Sequence, residues 1–258
     1  MRLGVIGWPI AHSRSPAMHT AALAALDIAG SYAAIPVEPA HHADFLRAAN
    51  YRGLNVTIPH KEAAFALCDP DALATQVGAV NTLLFDGDTR PRGFNTDVHG
   101  FTTWATEEQA ITPNGTAILL GSGGAARAVA LALHDKMRLT IVTRSPRAFT
   151  LAGHTIPTAP YESFAALSAH ADLLVDATPR GLDASAALPD LAQLPPHATV
   201  LDLVVARATP LTRAAHARHL RASTGVAMLL HQGAREFEFW TSRPAPIDVM
   251  RAALLASL

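Results

Sequence analysis

The segment from residue 116 to residue 134 constrains the fold more than any other part of the chain. The apolar run Thr116-Ala117-Ile118-Leu119-Leu120 reads as a buried strand, Gly121-Ser122-Gly123-Gly124-Ala125-Ala126 as a turn, and the alanine-rich stretch 125–134 as a helix. The turn fits G-x-G-x-x-A. Its first glycine permits the tight reversal, its second lets the backbone approach a pyrophosphate, and the small sixth residue lets helix and strand pack closely. The helix N-terminus adds amide donors and positive potential. Alone such a motif is weak, and a plain glycine-rich turn would look similar. Its place between a strand and a helix is what points to a dinucleotide.

The residues closing the next strand, 139–143, narrow the choice. A site selective for NAD puts an acidic residue there, to accept from the ribose 2′-hydroxyl. Here Thr143, Arg144, Ser145 and Arg147 stand instead. A guanidinium carries a permanent charge and a planar fork of donors that suits phosphate, so NADP is favoured. The bland alternative is that both arginines are solvated surface residues.

The rest of the chain alternates in the same way. Strands are expected at 3–7, 31–37, 54–57, 80–85, 172–177 and 199–205, and helices after Ser15-Pro16 (serine as cap), after Pro59, and over 228–240 and 247–256. Pro113-Asn114-Gly115 and Asp86-Gly87-Asp88 read as turns. Such β-α-β order argues for a doubly wound α/β fold with a parallel sheet. A length of 258 residues suits two compact domains, and 50% hydrophobic residues suit a sizeable core. The net charge of −1 offers no general attraction to nucleic acid or to an anionic membrane, and neither is expected as a partner. One cysteine, Cys68, excludes an intrachain disulfide and a multi-thiolate metal site. The thirteen histidines show no convincing metal-ligand spacing, so no metal is expected; His41-His42 is expected on an exposed helix surface. No apolar stretch approaches the ~20 residues that span a bilayer, and no targeting segment is visible, so the expectation is a soluble cytoplasmic protein.

The first hundred residues carry polar clusters that a bare scaffold would not need: His12-Ser13-Arg14-Ser15-Pro16, Asn55-Val56-Thr57-Ile58-Pro59-His60-Lys61, Gly78-Ala79-Val80-Asn81-Thr82 and Gly93-Phe94-Asn95-Thr96-Asp97-Val98-His99-Gly100. Singly, each has a dull explanation as a cap, a turn or a solvated lysine. Together they resemble the shikimate dehydrogenase family over nearly the whole chain. G-x-P-I-x-H-S-x-S-P stands at 7–16, N-V-T-x-P-x-K at 55–61, G-A-V-N-T at 78–82 and G-x-N-T-D-x-x-G at 93–100, followed by the Gly121 turn and by Gln232.

The resemblance implies NADP-dependent interconversion of 3-dehydroshikimate and shikimate, in aromatic amino-acid biosynthesis. By position it makes Ser13 and Ser15 partners of the substrate carboxylate, Thr57, Asn81 and Gln232 partners of the ring hydroxyls, and Lys61 and Asp97 the catalytic pair in contact with substrate. It assigns Gly121, Ser122, Gly123, Gly124 and Ala125 to the pyrophosphate, Thr143, Arg144, Ser145 and Arg147 to the 2′-phosphate and adenine, and Leu203 and Gly225 to the nicotinamide. Residues 1–97 with 228–258 are expected as the substrate domain and 98–227 as the Rossmann-type NADP domain, with the active site in the cleft between them. A homodimer is left open.

The chemistry is coherent without the name. Oxidising a secondary alcohol moves a hydride to the nicotinamide and a proton off the hydroxyl. Burial favours a neutral lysine amine and a neighbouring carboxylate favours the ammonium, so whether Lys61 is the base or positions the alcohol stays open. Departures from the family pattern bear on specificity. Val205 stands where the family has a tyrosine that can donate to the substrate carboxylate. Thr143 replaces an asparagine, and the stretch to Arg147 is one residue short. Asp176 and Thr20 also replace asparagines, away from the expected chemistry. Two alternatives follow: a paralogue acting on quinate or another hydroxycyclohexane acid, which Val205 favours, and a non-catalytic ligand sensor, which the intact Lys61 and Asp97 disfavour.

Overall fold

The computed structural model describes residues 1–87, 90–182 and 187–258. The first part of the chain runs β1 (Arg2–Gly7), α1 (Ser15–Ala25), β2 (Ser31–Pro36), α2 (His42–Arg47), β3 (Gly53–Val56), α3 (Lys61–Phe65), β4 (Asp69–Pro70), α4 (Ala72–Val77), β5 (Thr82–Leu84), β6 (Arg92–Phe94) and α5 (Asp97–Glu107). There follow β7 (Thr116–Leu120), α6 (Gly124–Leu133), β8 (Arg138–Val142), β9 (Phe149–Leu151), β10 (His154–Ile156), β11 (Thr158–Ala159), α7 (Phe164–Ser168), β12 (Leu173–Asp176), β13 (Thr199–Asp202), α8 (Pro210–Ala217), β14 (Arg221–Thr224), α9 (Val226–Thr241) and α10 (Ile247–Ala256). Two compact units result: Met1–Gly100 with Leu229–Leu258, and Phe101–Met228. Among the described residues no helix is long and apolar enough to cross a membrane.

The first unit is built on a mixed sheet of order β2-β1-β3-β5-β6-β4. β1 runs parallel to β2 and β3, whereas β5 runs antiparallel to β3 and β6. Ile6, Leu54, Val56, Val80 and Leu83 form its buried centre. The indole of Trp240 in α9 lies over Gly53 and donates to the Leu83 carbonyl at 3.0 Å. A Cβ at Gly53 would collide with the indole nitrogen. At Gly233 of α9 a Cβ would meet the tip of the Met18 side chain of α1.

The second unit is an all-parallel sheet of order β11-β8-β7-β12-β13-β14. The chain starts at β7, moves outward through β8 to β11, then returns to β12 on the other side. The strand order therefore reverses beside β7, the switch point at which open α/β sheets bind ligands. Ile118, Leu120, Val142, Leu174 and Val200 lie in its core.

Several local expectations need correction. Ser15 is not the cap of α1: the N-cap is Arg14, without a side-chain cap bond, and Ser13 Oγ accepts from the Ser15 amide at 3.4 Å. Pro59 follows a cis peptide bond and the next helix starts only at Lys61. The strand expected to reach residue 205 ends at Asp202. The β9–β10 hairpin was not anticipated; its turn, Ala152-Gly153, has φ of 49° and 81°, and non-glycine Ala152 gives no sequence signal for that geometry. Asp88 of the expected 86–88 turn lies outside the described residues.

His41 is exposed as expected, but His42 is buried and stacks on His60 at 4.5 Å with ring planes 5° apart. His60 contacts the Val37 carbonyl through Nε2 at 2.7 Å. Burial, then the facing His60, holds the His42 pKa down from the ordinary 6.5 to about 4. The stack braces the segment that leads into Lys61.

Two outcomes are expected. Gly53→Ala forces the Trp240 indole off the sheet and lowers stability by about 1–3 kcal/mol, read from the urea midpoint; an unchanged midpoint contradicts the packing. For His42 the unfolded chain takes up the proton first, so stability is intact above about pH 6.5 and falls as pH drops toward 4. His42→Gln should flatten the slope of Tm against pH between 6.5 and 5, and parallel slopes for the two proteins would rule this out.

Candidate active site

Sheet register explains why distant motifs converge in the first unit. Asn55 of β3 pairs with Thr82 of β5, which pairs with Phe94 of β6, and Ile6 of β1 pairs with Val56. The segments that leave β1, β3 and β6, and the one that enters β5, therefore emerge at one edge of the sheet. Those four segments carry Ser13 and Ser15, Thr57 and Lys61, Thr96 and Asp97, and Asn81.

Lys61 opens α3 and Asp97 opens α5. Lys61 Nζ donates to Asp97 Oδ2 at 2.5 Å, and both residues are buried, at 8% and 1% exposure. Asn81 Nδ2 donates to Asp97 Oδ1 at 3.0 Å and to Thr96 Oγ1 at 2.8 Å. Its Oδ1 accepts from the Thr96 amide at 2.8 Å and from Thr82 Oγ1 at 2.9 Å. The amide of Asn81 is thus committed to protein partners. Ser15 is also buried, and the Tyr32 phenol beside it donates to Asn55 Oδ1 at 2.5 Å; Asn55 in turn donates to the Asn81 carbonyl at 3.2 Å. Burial, then the Glu236 carboxylate, pushes the Tyr32 phenol well above its usual pKa against the opposing bond from Ser15. Ser13, Thr57 and Gln232 are half-buried, in the loop before α1, just after β3, and in α9. Thr57 packs so closely on the end of β1 that a Cβ at Gly7 would meet its methyl at 2.7 Å.

Sequence reasoning did not single out Glu236, buried to 1% exposure in α9. Its Oε1 accepts from Thr96 Oγ1 at 2.9 Å, and its Oε2 lies 3.4 Å from His19 Nε2. That second contact has the separation of an ion pair but not the angle of a hydrogen bond, since both ring nitrogens of His19 lack a partner. His19 stacks on Tyr32 at 4.5 Å. The available signal was spacing: Glu236 lies four residues after Gln232, hence on the same helix face.

In the second unit the glycine turn follows β7. Gly121 has φ +102°, which favours glycine, and a Cβ there would also press on Thr178 at 3.2 Å. Gly123 is the N-cap of the ten-residue α6, with extended backbone and no side-chain cap bond. A Cβ at Gly123 would meet nothing within 4 Å. Open space above an uncapped helix start with donor amides fits a phosphate, and hence a dinucleotide pyrophosphate, spanning Gly121, Ser122, Gly123, Gly124 and Ala125. Ser122 Oγ lies 3.5 Å from Thr143 Oγ1, joining the turn to the loop after β8. Arg144, Ser145 and Arg147 on that loop are exposed. Leu203 follows β13, and a Cβ at Gly225 would collide with its carbonyl oxygen, so the two backbones touch.

Arg180, after β12, was also missed. Its guanidinium lies 4.2 Å over the Tyr161 ring. Burial raises the Tyr161 pKa, and Arg180, Asp176 and Arg144 all act on that phenol, so the positive charge extends from the β8 loop to the β12 loop. Asp176 and Asp202 are register partners at the ends of β12 and β13, immediately beside Leu203. Asp176 is therefore closer to the cofactor-side residues than its place in the sequence suggests. Burial raises both pKa values, and Asp202 Oδ2 has no hydrogen-bond partner.

A doubly wound sheet with a glycine turn at its switch point, in a chain whose other unit holds a buried lysine–aspartate pair, defines a two-domain α/β dehydrogenase. Residues 5–83 match the family model of the shikimate dehydrogenase substrate binding domain, and residues 225–255 that of the shikimate 5′-dehydrogenase C-terminal domain. The shikimate dehydrogenase (NADP(+)) of Symbiobacterium thermophilum is 42% identical, over 99% of this chain and 94% of its own. The structure of shikimate 5-dehydrogenase from Thermus thermophilus, in complex with NADP(H) and shikimate, is 38% identical and superposes with a TM-score of 0.87 over 100% of both chains. Quinate dehydrogenase from Corynebacterium glutamicum, in complex with NAD, is 30% identical with a TM-score of 0.86 over 99% of each chain. The chain belongs to the shikimate dehydrogenase family.

Proposed function

We propose that this chain catalyses the NADP-dependent, reversible reduction of 3-dehydroshikimate to shikimate, a step of aromatic amino-acid biosynthesis, and that it acts in the cytoplasm. The observation that carries the reading is the buried Lys61–Asp97 contact, anchored by Asn81, in a chain that shares 42% identity with a shikimate dehydrogenase over nearly its full length. Bound NADP supplies or accepts the hydride.

The residues of the first unit, 1–100 with 229–258, do the rest. The Lys61 ammonium and the Asp97 carboxylate hold the reacting oxygen; on reduction a proton passes from Lys61 to that oxygen and solvent restores the lysine, and on oxidation the proton returns by the same route. Ser13 and Ser15 hold the ring carboxylate, and Thr57 and Gln232 hold ring hydroxyls. Asn81 contributes mainly by fixing Asp97, because its amide is already shared among protein partners. Residues 101–228 hold the cofactor, with the amides of the Gly121 turn on the pyrophosphate, Arg144 and Arg147 on the 2′-phosphate side, and Leu203 and Gly225 toward the nicotinamide. A site lined by such donors and acceptors rejects acids that lack a matching hydroxyl. A second reading, oxidation of quinate, is favoured by one residue: Val205 cannot donate to a carboxylate.

Purified protein incubated with shikimate or quinate and with NADP or NAD, followed at the nicotinamide absorbance, should turn over shikimate with NADP fastest. Faster turnover of quinate with NAD would replace the first reading by the second, and no turnover of either acid would return the sensor reading. In Lys61→Ala, turnover should fall by about 10²-fold or more while NADP binding, read by fluorescence titration, persists. Undiminished turnover in that variant would remove Lys61 from the chemistry.

A further inference from the structure

We infer that Glu236 is a positioning residue for this reaction: as a fixed acceptor at the end of a buried hydrogen-bond chain, it reinforces the direction in which Asn81 donates to Asp97. The inference rests on the reading of Lys61 and Asp97 as the reacting pair.

Direction is the central point. An ionised carboxylate only accepts hydrogen bonds, whereas a threonine hydroxyl can donate or accept, and an asparagine amide can be turned over. The Thr96 hydroxyl donates to Glu236 Oε1 at 2.9 Å. Its one proton is then spent, so toward Asn81 it can only accept, and it takes an amide proton from Nδ2 at 2.8 Å. This holds the nitrogen end of the Asn81 amide on the side of Asp97, where it donates to Oδ1 at 3.0 Å. The oxygen end is held in turn by the Thr96 amide and the Thr82 hydroxyl. Asp97 thereby keeps Oδ2 for Lys61. Glu236 Oε1 also lies 3.4 Å from Asn81 Nδ2 and from Thr82 Oγ1, so it sits where these groups converge.

A carboxylate this deeply buried is costly unless it is well compensated. Its neighbours are one firm donor, two longer contacts and the edge of His19 at 3.4 Å. Helix α9 needs no acid at this position for packing: Phe237 and Trp240 supply its apolar contacts and are fully buried. The residue is explained by what it does to Thr96 and Asn81.

Glu236→Leu keeps the volume and removes the acceptor. Glu236→Gln keeps an acceptor oxygen for Thr96 and removes the charge. With folding monitored by thermal melts, Glu236→Leu should lower kcat on the order of tenfold, the scale of one hydrogen bond, with KM for NADP unchanged. Glu236→Gln should restore kcat to within about threefold of the parent. A purely structural role predicts lower melting temperatures in both variants and an unchanged kcat per folded molecule. Full kcat in folded Glu236→Leu, or equal loss in both variants, overturns the inference. If Glu236→Leu does not fold, Thr96→Val breaks the same chain and decides the matter: a comparable loss of kcat supports it, an unchanged kcat refutes it. Loss in Lys61→Ala with none in Glu236→Leu defeats this inference alone, whereas undiminished turnover in Lys61→Ala defeats the reading beneath it.

Discussion

The first unit is organised around a largely buried ion pair. Removing an ammonium and a carboxylate from water costs several kcal/mol each, and their mutual attraction offsets this only when the remaining lone pairs and protons are also used. Asp97 meets that condition through Lys61 and Asn81, and Asn81 meets it through Thr82 and Thr96. Each of these side chains stands at the end of a strand or the start of a helix. Sheet register brings the strand ends together, and the loop 57–60 carries the chain from β3 to Lys61. The antiparallel insertion of β5 between β3 and β6 is the topological device: it places a segment that enters the sheet beside two segments that leave it.

Legibility followed the locality of the physics. The glycine turn could be read because its chemistry lies in consecutive backbone units, where φ, close approach and helix start are properties of single residues. Lys61, Asn81 and Asp97 could be picked out because their motifs are short and recur in a recognisable order. What escaped depends on residues far apart in the chain. Glu236 meets Thr96 across 140 positions, and His42 meets His60 across a strand and a turn. An isolated acid in a helix, or a histidine pair at a helix start, reads as surface until the opposing element is known. The β9–β10 hairpin escaped for the opposite reason: its turn is local, but alanine at positive φ is what residue preference argues against.

On the cofactor side the departures from the family pattern take on a physical sense. Thr143 cannot present the amide that an asparagine would, yet its hydroxyl reaches Ser122 and ties the β8 loop to the glycine turn. Positive charge is carried by Arg144 and Arg147 on one loop and by Arg180 on another, with the Arg180 guanidinium over the Tyr161 ring. A guanidinium fixed in this way loses less freedom on meeting an anion than one that is free to move. Charge spread over two strand ends makes recognition of a phosphate less dependent on any one residue.

Asp176 presents the sharper constraint. With Asp202 beside it in register, two carboxyl groups share a buried strand-end environment, and both are pushed toward the protonated form by burial. Each accepts a backbone amide, from Thr178 and from Val204. Those bonds favour the charged form, so two opposing demands meet at one place. The two demands are met separately: each carboxyl accepts its own loop amide, and Asp202 Oδ2 stays without a hydrogen-bond partner. Both loops that leave these strands belong to the expected cofactor side, one with Arg180 and the other with Leu203. Asp176 and Asp202 thus hold the first turns of the two loops that carry Arg180 and Leu203. In each unit a buried acid outside the recognised motifs fixes the geometry of the residues within them.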